Sequence, residues 1–131
     1  MNLIVANIKW IMLLSGVLTC TMIYAAIAPQ AALQSSFGET IEGPLAEIVV
    51  RNWGVLIALV GSMLLYGAYR PAVRPLVLIV AGLSKIAFVA LVLSYGWKYL
   101  GHQAGAAVAI DMVMVVLFAG YLVAPRAKAT A

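Results

Sequence analysis

The sequence predicts an all-α fold, a bundle of four membrane-crossing helices. Three observations predict it. Of 131 residues, 66% are hydrophobic and only 9% are charged, against roughly 25% charged in soluble domains. The mean hydropathy is +1.10. The apolar residues gather into four runs, about 8–28, 51–69, 76–97 and 104–123, each near the ~20 residues that a helix needs to cross a bilayer. The length fits one domain over 1–131, with no room for a soluble module beside the spans.

The first run, Ile8 to Ala28, imitates a signal peptide, with Lys9 before it and Ala26-Ile27-Ala28 in place of a cleavage site. Pro29 would follow the cut, and the apolar run is too long for a signal core, so an uncleaved helix is expected. Ser15, Thr19 and Met22 share one of its faces. The Ser15 and Thr19 hydroxyls are expected to bond their own backbone, with a neighbouring helix as the alternative. Cys20 is the only cysteine and can form no internal disulfide. Residues 29–44 are polar, and all their charges are acidic. They read as a solvated connector, with a cap over the bundle as the alternative.

Pro44 and Glu47 suit the start of the second helix. Gly54, Ala58 and Gly61 recur at i, i+4 and i+7, which lets a neighbouring helix approach closely. Arg51 can snorkel to the interface. In Arg70-Pro71-Ala72-Val73-Arg74-Pro75 the prolines stop the second helix and open the third. The third runs from Leu76 to about Leu93 and continues as a turn towards Tyr99. Gly101-His102-Gln103-Ala104-Gly105 breaks the chain. The fourth helix ends at Val123, before a polar tail holding Pro125, Arg126 and Lys128.

The net charge of +4 lies at span ends, so it reads as topology and not as nucleic-acid binding. Arg70, Arg74, Arg126 and Lys128 mark one membrane face, with Lys9 near it. Glu39, Glu42 and Glu47 mark the other, against Arg51 and Lys98. The positive-inside rule then puts both termini in the cytoplasm, and a bacterial inner membrane is the expected location. Trp10, Tyr66, Tyr69 and Tyr121 would line the inner interface; Tyr24, Trp53, Tyr95, Trp97 and Tyr99 would line the outer one.

Two charges interrupt the apolar runs: Lys85 in the third and Asp111 in the fourth. An ionisable group at such depth costs roughly 2.5–3.5 kcal/mol on insertion scales, so it faces the protein interior and takes a partner. Lys85 lies roughly 14 Å from the inner face and Asp111 roughly 10 Å from the outer one at 1.5 Å per residue. In a core ~30 Å thick their depths differ by on the order of one helical turn, which a lysine stem spans. The short connection makes helices three and four antiparallel neighbours. Gly82 and Ala107, each about a turn before its charge, leave room for a hydrated pocket. Asn52, Arg51 and His102 are candidates to border it, as are Thr19 and Tyr24. Lys85, Asp111, Asn52, Arg51 and His102 are thus the candidate ligand-binding residues.

No His/Cys/carboxylate cluster has metal spacing, and no phosphate loop, nucleophile elbow or c-type haem motif occurs. The leading reading is a binding module, in which Lys85 donates to the head group of a lipid-like, quinone-like or other small amphiphile and Asp111 orients it. The alternatives are an accessory or structural subunit contacting a membrane-protein partner or a second copy, or an isomerase or oxidoreductase using Asp111 as acid or base. The cofactor, the ligand and the choice among these stay open at this point.

Several short motifs carry a resemblance over roughly Val49 to Val123: Arg51-Asn52-Trp53-Gly54 through Gly61, Tyr69-Arg70-Pro71, Arg74-Pro75, Gly82 with Lys85, Ser94-Tyr95-Gly96, and an acid in the last span. The chain resembles a bacterial family of small four-helix membrane proteins of unknown function, related to DoxX-like proteins. It departs in carrying Lys85 where arginine is expected and Asp111 where glutamate is expected, so a bidentate guanidinium fork is lost. The resemblance implies quinone-linked thiol or sulfur redox chemistry, or assistance to other membrane proteins.

Overall fold

The computed structural model describes residues 3–124; the tail residues Pro125, Arg126 and Lys128 lie outside the described residues. In chain order the helices are α1 (Leu3–Ala6), α2 (Ile8–Cys20), α3 (Ile23–Ile27), α4 (Pro29–Phe37), α5 (Pro44–Tyr69), α6 (Arg74–Tyr95) and α7 (Gln103–Val123). Short 3-10 segments, Pro71–Val73 and Trp97–Gly101, precede α6 and α7. Four stretches are long and apolar enough to cross a membrane: Ile8–Ile27, Pro44–Tyr69, Pro71–Tyr95 and Gln103–Val123. Together they suggest a multi-pass membrane protein.

The first span is not one uninterrupted helix. At Thr21 and Met22 the amides bond carbonyls three residues back, Leu18 and Thr19. The Thr21 hydroxyl donates to the Leu18 carbonyl at 2.5 Å. Hydroxyl back-bonding of this kind draws the backbone out of regular α geometry, and α2 hands over to α3 there.

The polar stretch after Ala28 also folds further than a solvated connector. Pro29 opens α4, where a missing N–H costs nothing. Gly38 closes it at φ 74°, with its amide bonded to the Gln34 carbonyl; that left-handed geometry suits glycine. Ala32 and Leu33 are buried with Ala25 and Val50, and Met22, Phe37 and Trp53 pack around them. So short a helix depends on this packing and not on propensity. It forms a cap over one end of the molecule.

At the other end, Arg74 donates to the Gly67 and Ala68 carbonyls at 2.9 and 2.5 Å. These are last-turn carbonyls of α5, where the regular helical bonds run out; the Gly67 carbonyl also accepts from the Arg70 amide at 3.2 Å. Lys9 lies over the Tyr69 ring, 4.6 Å from its centroid.

Helices α2 and α5 pack most closely, because glycines line the seam. A Cβ on Gly61 of α5 would sit 2.7 Å from the Cys20 nitrogen of α2, and further along the same span one on Gly54 would sit 2.7 Å from the Ala26 nitrogen of α3. Backbone cannot step aside cheaply, so the expected small-residue stripe sets the helix separation. A larger core joins α2, α5, α6 and α7 towards the termini, with Met12, Leu64, Leu78 and Phe118 at its centre. Its other boundary is the small core beneath α4. Between the two lie the buried polar side chains Ser15, Thr19 and Lys85; Val92, Ala104 and Val108 are buried apolar residues outside both cores.

Two glycine substitutions test this packing. Gly61→Val meets backbone and is expected to destabilise by about 1–3 kcal/mol. Gly82→Ala meets nothing nearer than Phe118 at 4.0 Å, and it gains up to ~1 kcal/mol of helix propensity. Thermal unfolding in detergent should fall for the first and hold or rise for the second. Equal midpoints would contradict a glycine-set α2–α5 contact.

Candidate functional site

Lys85 and Asp111 meet. The Lys85 Nζ lies 3.0 Å from Asp111 Oδ1. Lys85 sits on the buried stripe of α6, with Leu78, Gly82 and Val92. It is 8% exposed, and the Asp111 side chain is 17% exposed. The ammonium also donates to the Thr19 hydroxyl at 3.4 Å. One cation thus bonds α7 and α2 while belonging to α6. Burying an ion pair brings little net stability, because desolvation offsets the attraction; removing one partner is what costs heavily.

A cavity of about 330 Å³ opens beside the pair, within the range of small-molecule sites. Ser15, Thr19, Ser84, Lys85, Gln103 and Asp111 are among the polar residues that line it, with apolar groups such as Met22, Ile57 and Phe88. Phe37 of the α4 cap and Trp53 also line it. A second, apolar groove of about 310 Å³ runs from there along α6 past Leu91 and Tyr95; it shares Phe37, Trp53 and Phe88 with the first.

Ser15 was not expected to matter in this way. It is 1% exposed, and its hydroxyl has no hydrogen-bond partner among the described residues. The expected bond to its own helix does not form, and the Thr19 hydroxyl accepts from Lys85 instead. The shared face of Ser15, Thr19 and Met22 was legible in their spacing, and all three line the cavity. That the hydroxyls are left to the cavity was not legible.

The other candidates lie elsewhere. Arg51 is exposed, pairs with Glu47 at 3.0 Å, and donates to the Ala26 carbonyl at 2.6 Å. It thereby serves the C-terminal turn of α3, where a cation is favoured. Asn52 is exposed on α5. His102 is exposed, and its ring fills the space where a side chain on Gly38 would go. Neither these three nor Tyr24 line the cavity beside the pair.

The cap is fastened by groups that the sequence marks as interface charges and aromatics, with Phe37. Glu39 takes Lys98 on one oxygen at 2.8 Å and the Tyr99 hydroxyl on the other at 3.2 Å. Phe37 packs edge-on against Tyr99 and tilted against Trp53, with centroids 5.2 and 6.3 Å apart. The hydrogen bond from Lys98 holds the Glu39 carboxyl below its ordinary pKa of 4.5. The same bond holds Lys98 above its ordinary 10.5.

Comparison with known proteins returns no significant match to a protein family, a curated protein or a solved structure. No cluster of histidine, cysteine and carboxylate groups suited to a metal occurs among the described residues. What fold and site define together is a class: an all-helical chain with four apolar, membrane-length helices and a buried lysine–aspartate pair facing a cavity.

Two expectations follow. Ser15→Ala removes an unpartnered buried hydroxyl and should leave thermal stability unchanged or raise it by about 1 kcal/mol; a drop of that size would mean the hydroxyl has a bonding partner in the protein. For the cap, a lowered carboxyl pKa stabilises above 4.5 and is lost as pH falls through the lowered value. A raised amine pKa stabilises below 10.5 and is lost as pH rises through the raised value. Both groups are exposed, so the effect is small and weakened by salt. Hydrogen-exchange protection of α4 should fall at pH 3 relative to pH 6, and Glu39→Gln should remove that dependence. Equal protection in wild type at both pH values would contradict the fastening.

Proposed function

We propose that this chain is a four-helix bundle of a bacterial inner membrane, with both termini cytoplasmic and the α4 cap outward, and that it binds a small amphiphile at Lys85 and Asp111. The ligand is lipid-like or quinone-like. Its head lies against the ion pair, and its tail follows the apolar walls towards the membrane. Lys85 donates to an oxygen of the head, and Asp111 orients the ammonium. The carrying observation is the cavity itself: the buried polar layer borders open space instead of closing on itself. A kinship with DoxX-like membrane proteins fits this architecture and belongs to the same proposal.

A second reading, an accessory subunit in which the pair only fixes helix register, is favoured by the direct 3.0 Å contact between α6 and α7. The two readings part on substitution. Replacing both charges, Lys85→Met with Asp111→Leu, leaves no unpaired buried ion and should change stability by less than about 2 kcal/mol. If the site binds, the folded double variant loses the lipid-like species that co-purifies with wild type in native nanodiscs, by roughly tenfold or more in lipid mass spectrometry. Folded variants, single (Lys85→Met, Asp111→Asn) and double, with an unaltered lipid complement would remove the binding reading. A double variant that keeps its lipids but fails to hold helix register would favour the structural one.

A further inference from the structure

The hydrogen-bonding inventory of the cavity narrows the ligand, resting on the binding reading above. We infer that the head group is uncharged and both donates and accepts hydrogen bonds, the chemistry of an alcohol, on a single apolar chain.

Charge comes first. Lys85 and Asp111 are the only charged residues lining the cavity among the described residues, and they are paired at 3.0 Å. The other nearby cations are engaged elsewhere: Arg51 with Glu47 and the α3 carbonyl, and Lys98 with Glu39. A phosphate, sulfate or carboxylate head would therefore enter a site of no net charge. It would have to share the one ammonium with the Asp111 carboxylate, anion beside anion, or take Lys85 from it, and at a largely buried pair neither arrangement repays the desolvation of the head. A cationic head meets the same obstacle at Lys85. An uncharged head displaces neither partner.

The unfilled bonding capacity comes second. An ammonium has three donors; Asp111 and Thr19 take two of those of Lys85. Only Oδ1 of Asp111 is engaged, so its second oxygen can accept. The Thr19 hydroxyl accepts from Lys85 and still has its own proton to give. The Ser15 hydroxyl, one helical turn from Thr19, is buried with no partner. The site thus offers donors and an acceptor together. A head that only accepts, such as an ester, leaves the Asp111 oxygen unmet. A hydroxyl answers both.

The shape comes third. The apolar groove joins the cavity at Phe37, Trp53 and Phe88 and opens along α6. A single chain leaving the head can follow it out to the lipid without crossing the ion pair.

The test uses the full chain in phosphatidylcholine nanodiscs and four probes with one oleyl-length tail: monooleoylglycerol, methyl oleate, oleyl sulfate and oleyl trimethylammonium. Occupancy is read by native mass spectrometry. Wild type should bind monooleoylglycerol at least roughly tenfold more tightly than the other three. Asp111→Asn leaves Lys85 without its counter-ion, and the preference should swing to oleyl sulfate by roughly tenfold or more. Ser15→Ala should weaken monooleoylglycerol by about fivefold and leave oleyl sulfate unaltered. The wild-type ranking needs no variant, so it decides the matter even if a variant fails to fold. Oleyl sulfate, oleyl trimethylammonium or methyl oleate bound as tightly as monooleoylglycerol would overturn the uncharged donor–acceptor head and leave an amphiphile site standing. No probe bound above the phosphatidylcholine background would overturn the site as well.

Discussion

A charge carried into hydrocarbon must be answered inside the protein, and most of what is distinctive in this fold follows from that constraint. Lys85 and Asp111 come from neighbouring antiparallel helices and meet at 3.0 Å. Thr19 brings the first span to the same ammonium. The pair is therefore a junction of three helices. It divides the interior in two, with an apolar core towards the termini and a smaller one beneath the cap. A layer of polar side chains with a cavity beside it separates them.

The remainder of the architecture accommodates that layer. The glycine seam between α2 and α5 brings those two backbones close, which places the Ser15–Thr19 face against the polar centre. Gly82 leaves the space next to Lys85 clear, since a Cβ there would touch only Phe118 at 4.0 Å. The α4 cap lies over the opposite end, held by its small apolar core, three aromatic rings and an exposed ion pair. Of these only the ion pair is weakened by salt. The half of the molecule around the cavity thus rests on a smaller apolar core than the half around Met12, Leu64 and Phe118.

Much of this was legible in the sequence, for physical reasons that differ from residue to residue. The four spans follow from composition, because backbone in a bilayer has few options besides helix. The pairing of Lys85 with Asp111 follows from helix rise, opposite sign and a short connection. Other features depend on tertiary contacts that no local pattern encodes. Ala32, Leu33 and Phe37 are too few among glutamine and serine to announce α4; Val50, Trp53 and Tyr99 supply what it packs on. Arg51 and His102 were candidates to border the pocket, yet Arg51 turns to Glu47 and the Ala26 carbonyl and His102 lies against Gly38. Ser15 has the spacing of an ordinary helix hydroxyl, and only its surroundings reveal that it is buried without a partner.

The central claim is the contact between the ammonium and the carboxylate within the bilayer. It can be measured directly by solid-state NMR on protein reconstituted in lipid, with 15N at the lysine side chains and 13C at the aspartate carboxyl; Asp111 is the only aspartate in the chain. Strong nitrogen–carbon dipolar dephasing at Asp111, as a 3.0 Å nitrogen–oxygen contact demands, that vanishes in Lys85→Met is the result expected. A carboxyl signal that shows no lysine contact in the lipid-embedded wild-type protein would contradict the account at its root.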